Sequence, residues 1–169
     1  MRKLFTRRPT PAMLVAVLAL LASTAGVSYA ATTQGPPSFT AHGVAFVPAS
    51  AANGVALPIT GPNSSGLVNH GMTIASPTSV AVPRNGIYLI TLAGNCNGGA
   101  TNTRMLVREG NGLVGNRVDL VAGFEGNPSI AASNTVHLAA GTRLNMIAGH
   151  GGIGVNCGAT LGVSLLSAD

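Results

Sequence analysis

The sequence predicts an all-β protein in which two antiparallel sheets pack against each other. From Phe39 onward, short runs of strand-forming residues recur between Gly, Pro and Asn, at the spacing expected of a sandwich or barrel. No convincing helical pattern interrupts these runs. The most strand-like segment, residues 87–93, is apolar on both faces, so a solvated face is not available to it. We therefore predict a central strand that is covered twice, by a second sheet or by another subunit.

The first thirty residues indicate an export signal. Basic residues at positions 2, 3, 7 and 8 precede an apolar run at 12–22 and the small-residue site Ser28-Tyr29-Ala30, which is the order of a cleaved signal peptide. The apolar run is well short of the roughly 20 residues that a membrane span needs. We predict cleavage after Ala30, a secreted or cell-surface location, and no membrane span in the mature chain. Residues 31–38 are predicted to be a flexible lead-in to one domain at 39–169.

Removal of this signal changes the charge of the protein. The full chain carries nine basic and four acidic residues, for a formal net charge of +5. Four of the basic residues lie in the signal, so the mature 139 residues carry +1 and contain no Lys. Their five Arg stand singly, without the basic patch that binds a phosphate backbone, which argues against nucleic acid as a partner. So few charges predict that part of the surface is covered, most simply by oligomerisation.

The chain contains two cysteines, Cys96 and Cys157. In the oxidising environment outside the cell they predict one disulfide, with no odd thiol left over. Two free, buried thiols are the alternative. A catalytic or metal-binding role for a lone, widely spaced pair is not favoured.

Ten strands are predicted in the domain, at residues 39–47, 54–59, 67–74, 78–83, 87–95, 102–109, 114–122, 132–139, 143–149 and 158–166. Pro83 and Gly86 allow the chain to reverse before the central strand. Asn111-Gly112 predicts a tight hairpin, because both central residues of the favoured turn need φ > 0. Gly141 marks a similar turn between two further strands.

The last predicted strand has two unlike faces. One face is apolar and consists of Ala159, Leu161, Val163 and Leu165. The other is formed by small residues, Thr160, Gly162 and Ser164. Small side chains let another backbone or subunit come close, so this pattern predicts a strand near a symmetry axis.

Three segments together resemble the jelly-roll superfamily of the complement C1q globular heads and the tumour necrosis factor ligands. Residues 82–90 resemble the family's Pro-x-x-Gly-x-Tyr strand, residues 135–144 its His-Leu-x-x-Gly-Asp-x-Leu hairpin, and residues 159–166 its closing Gly-x-Leu-Leu strand. The nearest likeness is to the bacterial branch, such as the C-terminal domains of spore-surface collagen-like glycoproteins. Thr142 stands where the family commonly has Asp, so no calcium site is carried over, and no cofactor or metal is predicted.

The resemblance implies a ten-stranded jelly-roll sandwich that associates as a homotrimer and acts by binding, or by forming a surface layer, without chemistry. An extracellular protein or a glycan is the kind of ligand it implies. The family's sheet order makes strands 87–95 and 158–166 antiparallel neighbours, which would bring Cys96 beside Cys157, within the ~4.4 to 6.8 Å Cα separation of a disulfide. The trimer is expected on the sheet that holds these strands, with interface residues Tyr88, Ile90, Leu92, His137, Gly162 and Ser164.

Two other functions stay open on the residues alone. A small secreted hydrolase on a β-sandwich would need His, carboxylate and nucleophile together, but the mature chain holds only four acids and no nucleophile-elbow serine. A subunit of a larger coat or appendage would keep associating beyond three. The Gly-rich matches to dinucleotide loops lack the helix that must follow, and the four histidines show no metal-ligand spacing. We therefore predict no catalytic residues.

Overall fold

The computed structural model describes residues 35–51, 53–97, 103–110, 118–125, 129–150 and 154–169. Within these ranges the chain forms eleven strands and no helix. The strands are β1 (Ser38–Val47), β2 (Val55–Ala56), β3 (Ser64–His70), β4 (Thr73–Ser76), β5 (Ser79–Ala81), β6 (Gly86–Cys96), β7 (Thr103–Glu109), β8 (Val118–Glu125), β9 (Ser129–Leu138), β10 (Arg143–His150) and β11 (Val155–Ala168). The predicted export signal and residues 31–34 of the predicted lead-in lie outside the described residues.

The strands form two sheets in which neighbouring strands are antiparallel. The five-stranded sheet has the order β3-β1-β11-β6-β9. The six-stranded sheet has the order β4-β5-β10-β7-β8, and the two-residue β2 also pairs with β10. The predicted all-β sandwich of two antiparallel sheets is confirmed.

One predicted strand is divided between the two sheets. The sequence predicts a continuous strand at 67–74, but the chain turns at Gly71, where φ is +75°, and β3 and β4 belong to different sheets. The side chain of Asn69 closes this turn, because its Oδ1 accepts the Met72 N–H at 3.0 Å and its Nδ2 donates to the Met72 carbonyl at 3.0 Å. Eleven strands therefore replace the ten predicted.

Two further predictions about local structure are corrected or only partly described. The strand predicted at 54–59 is reduced to β2, since the Ile59 N–H bonds instead to the Pro77 carbonyl at 2.7 Å, outside any ladder. Gly141 forms the predicted turn with φ +81°, but it leads from β9 of one sheet to β10 of the other and so makes a crossover. The β7–β8 pair is antiparallel, as a hairpin requires, while Asn111-Gly112 lies outside the described residues.

The core lies between the two sheets. The side chains of Tyr88, Ile90 and Leu92 from β6 are at most 1% exposed and belong to one apolar cluster with residues of the six-stranded sheet such as Met105 and Met146. Their burial corrects the sequence-based assignment of these three residues to a subunit interface. A side chain that is enclosed within one chain has no surface left for a partner.

Tyr88 also fixes the turn that precedes β6. Its Oη donates a hydrogen bond to the carbonyl of Arg84 at 2.9 Å. Burial raises the pKa of the Tyr88 phenol above its ordinary value, because the phenolate would lose its hydration there. The neutral hydroxyl thus holds the 83–86 turn against the core.

Candidate interface on the five-stranded sheet

The register of the five-stranded sheet determines which side chains point away from the core. Gly162 of β11 lies opposite Thr91 of β6 and Thr40 of β1, and Thr91 lies opposite Ser133 of β9. Directly paired residues share a face of the sheet. We call this surface the uncharged face, and its members alternate along each strand with the core residues. They include Ser38, Thr40, His42, Val44, Phe46, Val68, Ile87, Leu89, Thr91, Ala93, Ala131, Ser133, Thr135, His137, Gly158, Thr160, Gly162 and Ser164.

The uncharged face owes its name to a segregation of charge between the sheets. The five strands β1, β3, β6, β9 and β11, all of them within the described residues, contain no Asp, Glu, Lys or Arg. The strands of the six-stranded sheet contain six such residues, Arg104, Arg108, Glu109, Asp119, Glu125 and Arg143. The two sheets therefore present chemically different surfaces.

The part of the uncharged face that lies on β6 and β9 holds a shallow groove. An open groove of about 440 Å³ runs here, lined by Thr91, Leu92, Ala93, Ala131, Ala132, Ser133 and Thr160. Its depth follows from sequence, since Ala93 pairs with Ala131 and neither side chain rises far above the backbone. A Cβ atom at position 162 would collide with Oγ1 of Thr91. Glycine at this position therefore leaves room for the threonine side chain.

Elsewhere the uncharged face exposes large apolar side chains. Val44, Phe46 and Val68 on β1 and β3 are 39%, 58% and 51% exposed, although each is a large apolar side chain. Ile87 and Leu166, where β6 and β11 pair at a bulge, are 40% and 58% exposed. Exposed apolar side chains on a face without charged residues make this face a candidate interaction surface.

The predicted interface residues divide between core and surface. Gly162 and Ser164 lie on the uncharged face and are partly buried, and His137 lies at the end of the face with its side chain 60% exposed. The Nε2 atom of His137 is 2.9 Å from Oδ2 of Asp169, which follows β11. Sequence reasoning missed Ile87, Leu89 and Thr91, which occupy the outward positions it gave to Tyr88, Ile90 and Leu92.

His42 is a second histidine of the face, in a different setting. Its Nδ1 atom is 3.1 Å from Oγ1 of Thr160, and its ring lies over Gly158. Thr160 is one of the residues that line the groove. The imidazole therefore stands at the groove's edge, without a carboxylate on any strand of its sheet.

The predicted disulfide between Cys96 and Cys157 is present. The two residues are direct partners in the β6–β11 ladder, and both are buried. The bond therefore joins the end of the central strand to the start of its neighbour, as the family's sheet order implied.

Groups that could carry chemistry are sparse in the part of the chain that the structure describes. There, no group of three or more His, Cys, Asp and Glu side chains is close enough to hold a metal ion. The same residues include no helix that could cross a membrane.

Solved structures share this arrangement of two sheets. A structure of Eiger, a tumour necrosis factor from S. frugiperda, matches with a TM-score of 0.57 and 16% identity, over 80% of this chain and 96% of that one. Murine APRIL at pH 8.0 matches with a TM-score of 0.55 and 14% identity, over 75% and 98%. The globular domain of zebrafish complement 1qA matches with a TM-score of 0.50 and 14% identity, over 79% and 99%. The fold is the C1q and tumour necrosis factor jelly roll.

The jelly roll is shared at a low level of sequence identity. No protein-family model and no curated protein matches the chain. At 14% to 16% identity the likeness establishes the architecture, while function must be argued from the surface of this chain.

Proposed function

We propose that the mature chain is a secreted, non-enzymatic jelly-roll module of the bacterial C1q-like branch. It forms a homotrimer through the uncharged face and serves in extracellular binding or in surface structure. The observation that carries this proposal is the absence of Asp, Glu, Lys and Arg from all five strands of one sheet, each of which lies within the described residues. The export signal and the Cys96–Cys157 disulfide support secretion, since such bonds persist in oxidising compartments.

The composition of the uncharged face suits a buried subunit contact. Charged residues are depleted at the centres of protein interfaces, because an unpaired charge loses its hydration there. Small Ser, Thr, Gly and Ala side chains occupy the middle of this face, where Thr91, Gly162 and Thr40 are neighbours. The exposed apolar side chains Ile87 and Val68 would be removed from water by association.

The two parts of the face present different side chains. The part on β6 and β9 holds an open groove lined mainly by small side chains, and the part on β1 presents Val44 and Phe46. Unlike surfaces suit a head-to-tail contact, in which one surface of each subunit meets a different surface of the next. Such a contact forms a closed ring where the rotation between neighbouring subunits closes, and three is the number that the resemblance implies.

The remaining surface is then free for a ligand. In such a trimer the outer face of the six-stranded sheet, which carries Arg108, Asp119 and Arg143, points away from the contacts. An extracellular protein or a glycan is the ligand class that we propose for it. Arg108 and Asp119 form a 2.7 Å ion pair there, which we assign to the stability of the sheet.

Light scattering on residues 31–169 at several concentrations tests this proposal. We expect three times the mass of one chain for the unchanged protein. Thr91→Glu should give a monomer, because a buried, unpaired carboxylate costs several kcal/mol. The matched control is Thr73→Glu, which places the same charge at an exposed threonine of β4 in the other sheet and should leave the mass unchanged.

Three results would count against this assignment. A monomeric wild-type protein at all concentrations would refute association through the face. A trimeric Thr91→Glu variant would place the contact elsewhere on the molecule. A species that grows without limit as concentration rises would favour a coat or appendage subunit instead.

A further inference from the structure

We infer that protonation of His42 switches the self-association off, which rests on the proposed use of the uncharged face as the subunit contact. His42 lies in the row of the sheet formed by Ser65, His42, Thr160, Ala93 and Ala131. The adjacent row contains Thr91 and Gly162, so the imidazole is near the middle of the face rather than at its rim.

The surroundings of His42 accept a neutral imidazole and offer nothing to a charged one. Its ring is partly buried against Gly158, where a Cβ would be 3.3 Å from the ring atoms Cε1 and Nε2. Its Nδ1 is 3.1 Å from the Thr160 hydroxyl, which can donate to a neutral ring or accept from it. A protonated ring would keep that hydrogen bond, but it would also need a nearby carboxylate to neutralise its positive charge.

No counter-charge faces His42 from the elements that pack beside it. The strands β3, β1 and β11, which lie within the described residues, contain no acidic residue. The one other titratable side chain on them is a second imidazole, that of His70 at the exposed end of β3. Asp169 is committed to His137 at 2.9 Å, at the other end of the face, beside Ile87. A second copy of the same face would bring the same groups, in which the carboxylate of Asp169 is again paired with His137.

The direction of the effect follows from linkage. An imidazole changes its charge between about pH 5 and 8. Association removes His42 from water while it is neutral, so dissociation takes up one proton per chain as the pH falls. Three chains bind three protons, so the dissociation constant of the trimer should rise by up to about a thousandfold for each pH unit in the acidic limb.

Light scattering at pH 7.5 and pH 5.0 tests this switch on residues 31–169 and on two variants. We expect the wild-type protein to be trimeric at pH 7.5 and largely monomeric at pH 5.0. His42→Gln keeps a polar side chain that cannot be charged, and it should remain trimeric at both pH values. His70→Gln is the matched control on the neighbouring strand and should dissociate like the wild-type protein.

The outcomes separate the two proposals. A monomer already at pH 7.5 overturns the proposed function, whereas a wild-type trimer that persists at pH 5.0 overturns the switch alone. Dissociation of both the wild-type protein and His42→Gln at pH 5.0 overturns the assignment to His42. To guard against a misfolded variant, the His42 imidazole signal of the unmutated protein can be followed by NMR. Titration of that signal in an intact trimer also overturns the switch.

Discussion

The outward faces of the two sheets differ in where their polar groups find partners. On the six-stranded sheet, the buried polar residues Ser79, Asn145 and Arg108 lie in one row, and Asp119 ends that row. Ser79 Oγ is 2.7 Å from Ser76 Oγ, Asn145 donates to the Gly110 carbonyl at 2.6 Å, and Arg108 donates to Asp119 at 2.7 Å. Each of these groups finds a partner within one chain, although Nη1 of Arg108 has no hydrogen-bond partner in the described residues.

The uncharged face shows the opposite arrangement. Few of its side chains need a hydrogen-bond partner inside the chain, but its large apolar residues Phe46, Val68 and Leu166 are more than half exposed. Burial of such surface yields roughly 25 cal/mol per Å², which a second chain would supply in the proposed trimer. On that proposal, one sheet carries interactions for the stability of the chain and the other carries those for its assembly. Four measurements test this division between the sheets.

The largest expected effect is the loss of the disulfide. Replacing Cys96 and Cys157 by Ala should lower the free energy of unfolding by on the order of 4 kcal/mol, because the bond closes a loop with a sequence separation of 61 residues. Urea denaturation measures the loss, and light scattering should still find a trimer under native conditions. Unchanged stability would show that the β6–β11 ladder alone fixes this region.

Loss of the Asp119 carboxylate should cost about 3 kcal/mol. The Arg108 side chain is only 8% exposed, and its Nη1 atom has no hydrogen-bond partner in the described part of the chain. Asp119→Ala would leave the positive charge of Arg108 buried without a compensating carboxylate. The double variant Arg108→Met with Asp119→Ala should recover much of the loss in urea denaturation. Dissociation of the trimer by Asp119→Ala alone would contradict the division between the sheets.

Two isoleucines with the same exposure allow a matched test of assembly. Ile87 on the uncharged face is 40% exposed, and Ile74 on the six-stranded sheet is 39% exposed. Ile87→Ser should weaken association about tenfold, which corresponds to ~1.4 kcal/mol, because it removes apolar surface from the contact. Ile74→Ser should leave the association constant unchanged in sedimentation equilibrium. Equal effects of the two changes would show that association does not depend on the uncharged face.

The smallest effect is expected at Tyr88. Tyr88→Phe removes the hydrogen bond to the Arg84 carbonyl and should cost about 1 kcal/mol at pH 7. Because burial raises the pKa of Tyr88, its neutral form adds stability that is complete below about pH 10 and is lost as the pH rises through the folded-state value. Urea denaturation at pH 7 and at pH 10.5 should therefore show a smaller alkaline loss for the variant. An equal loss for both proteins would exclude this contribution.

The alternation of residues predicted the strands and the fold class, but it did not say which face of β6 points inward. A signal for this was present in the sequence. Stepping back five residues from Cys96 reaches Thr91, and stepping forward five from Cys157 reaches Gly162, so a disulfide between directly opposite cysteines pairs these two in an antiparallel ladder, as the structure shows. Gly162 and Thr91 must then share a face, which excludes Tyr88 from it. Combining the two predictions would have corrected the assignment.

Other features could not be predicted from local sequence. The division of residues 67–74 depends on Asn69, whose side chain bonds across the turn to Met72. A Gly that follows a polar residue is common in this chain, and it does not indicate whether the next strand belongs to the same sheet or to the other one. Likewise the crossover at Gly141 has the same local signal as a hairpin, and only the packing of the two sheets distinguishes them.

The position of β11 between β1 and β6 has a consequence for the order of events during synthesis. The strand that completes the five-stranded sheet is the last of its members in the chain, and it pairs with the first one from Ser38 to Val47. β1 and β6 therefore gain their shared neighbour only after β11 has been made. Ladders between such distant segments close slowly, because the entropy of the intervening loop is lost before the contacts form. The five-stranded sheet, the disulfide and the uncharged face are thus complete only once β11 has paired with both strands.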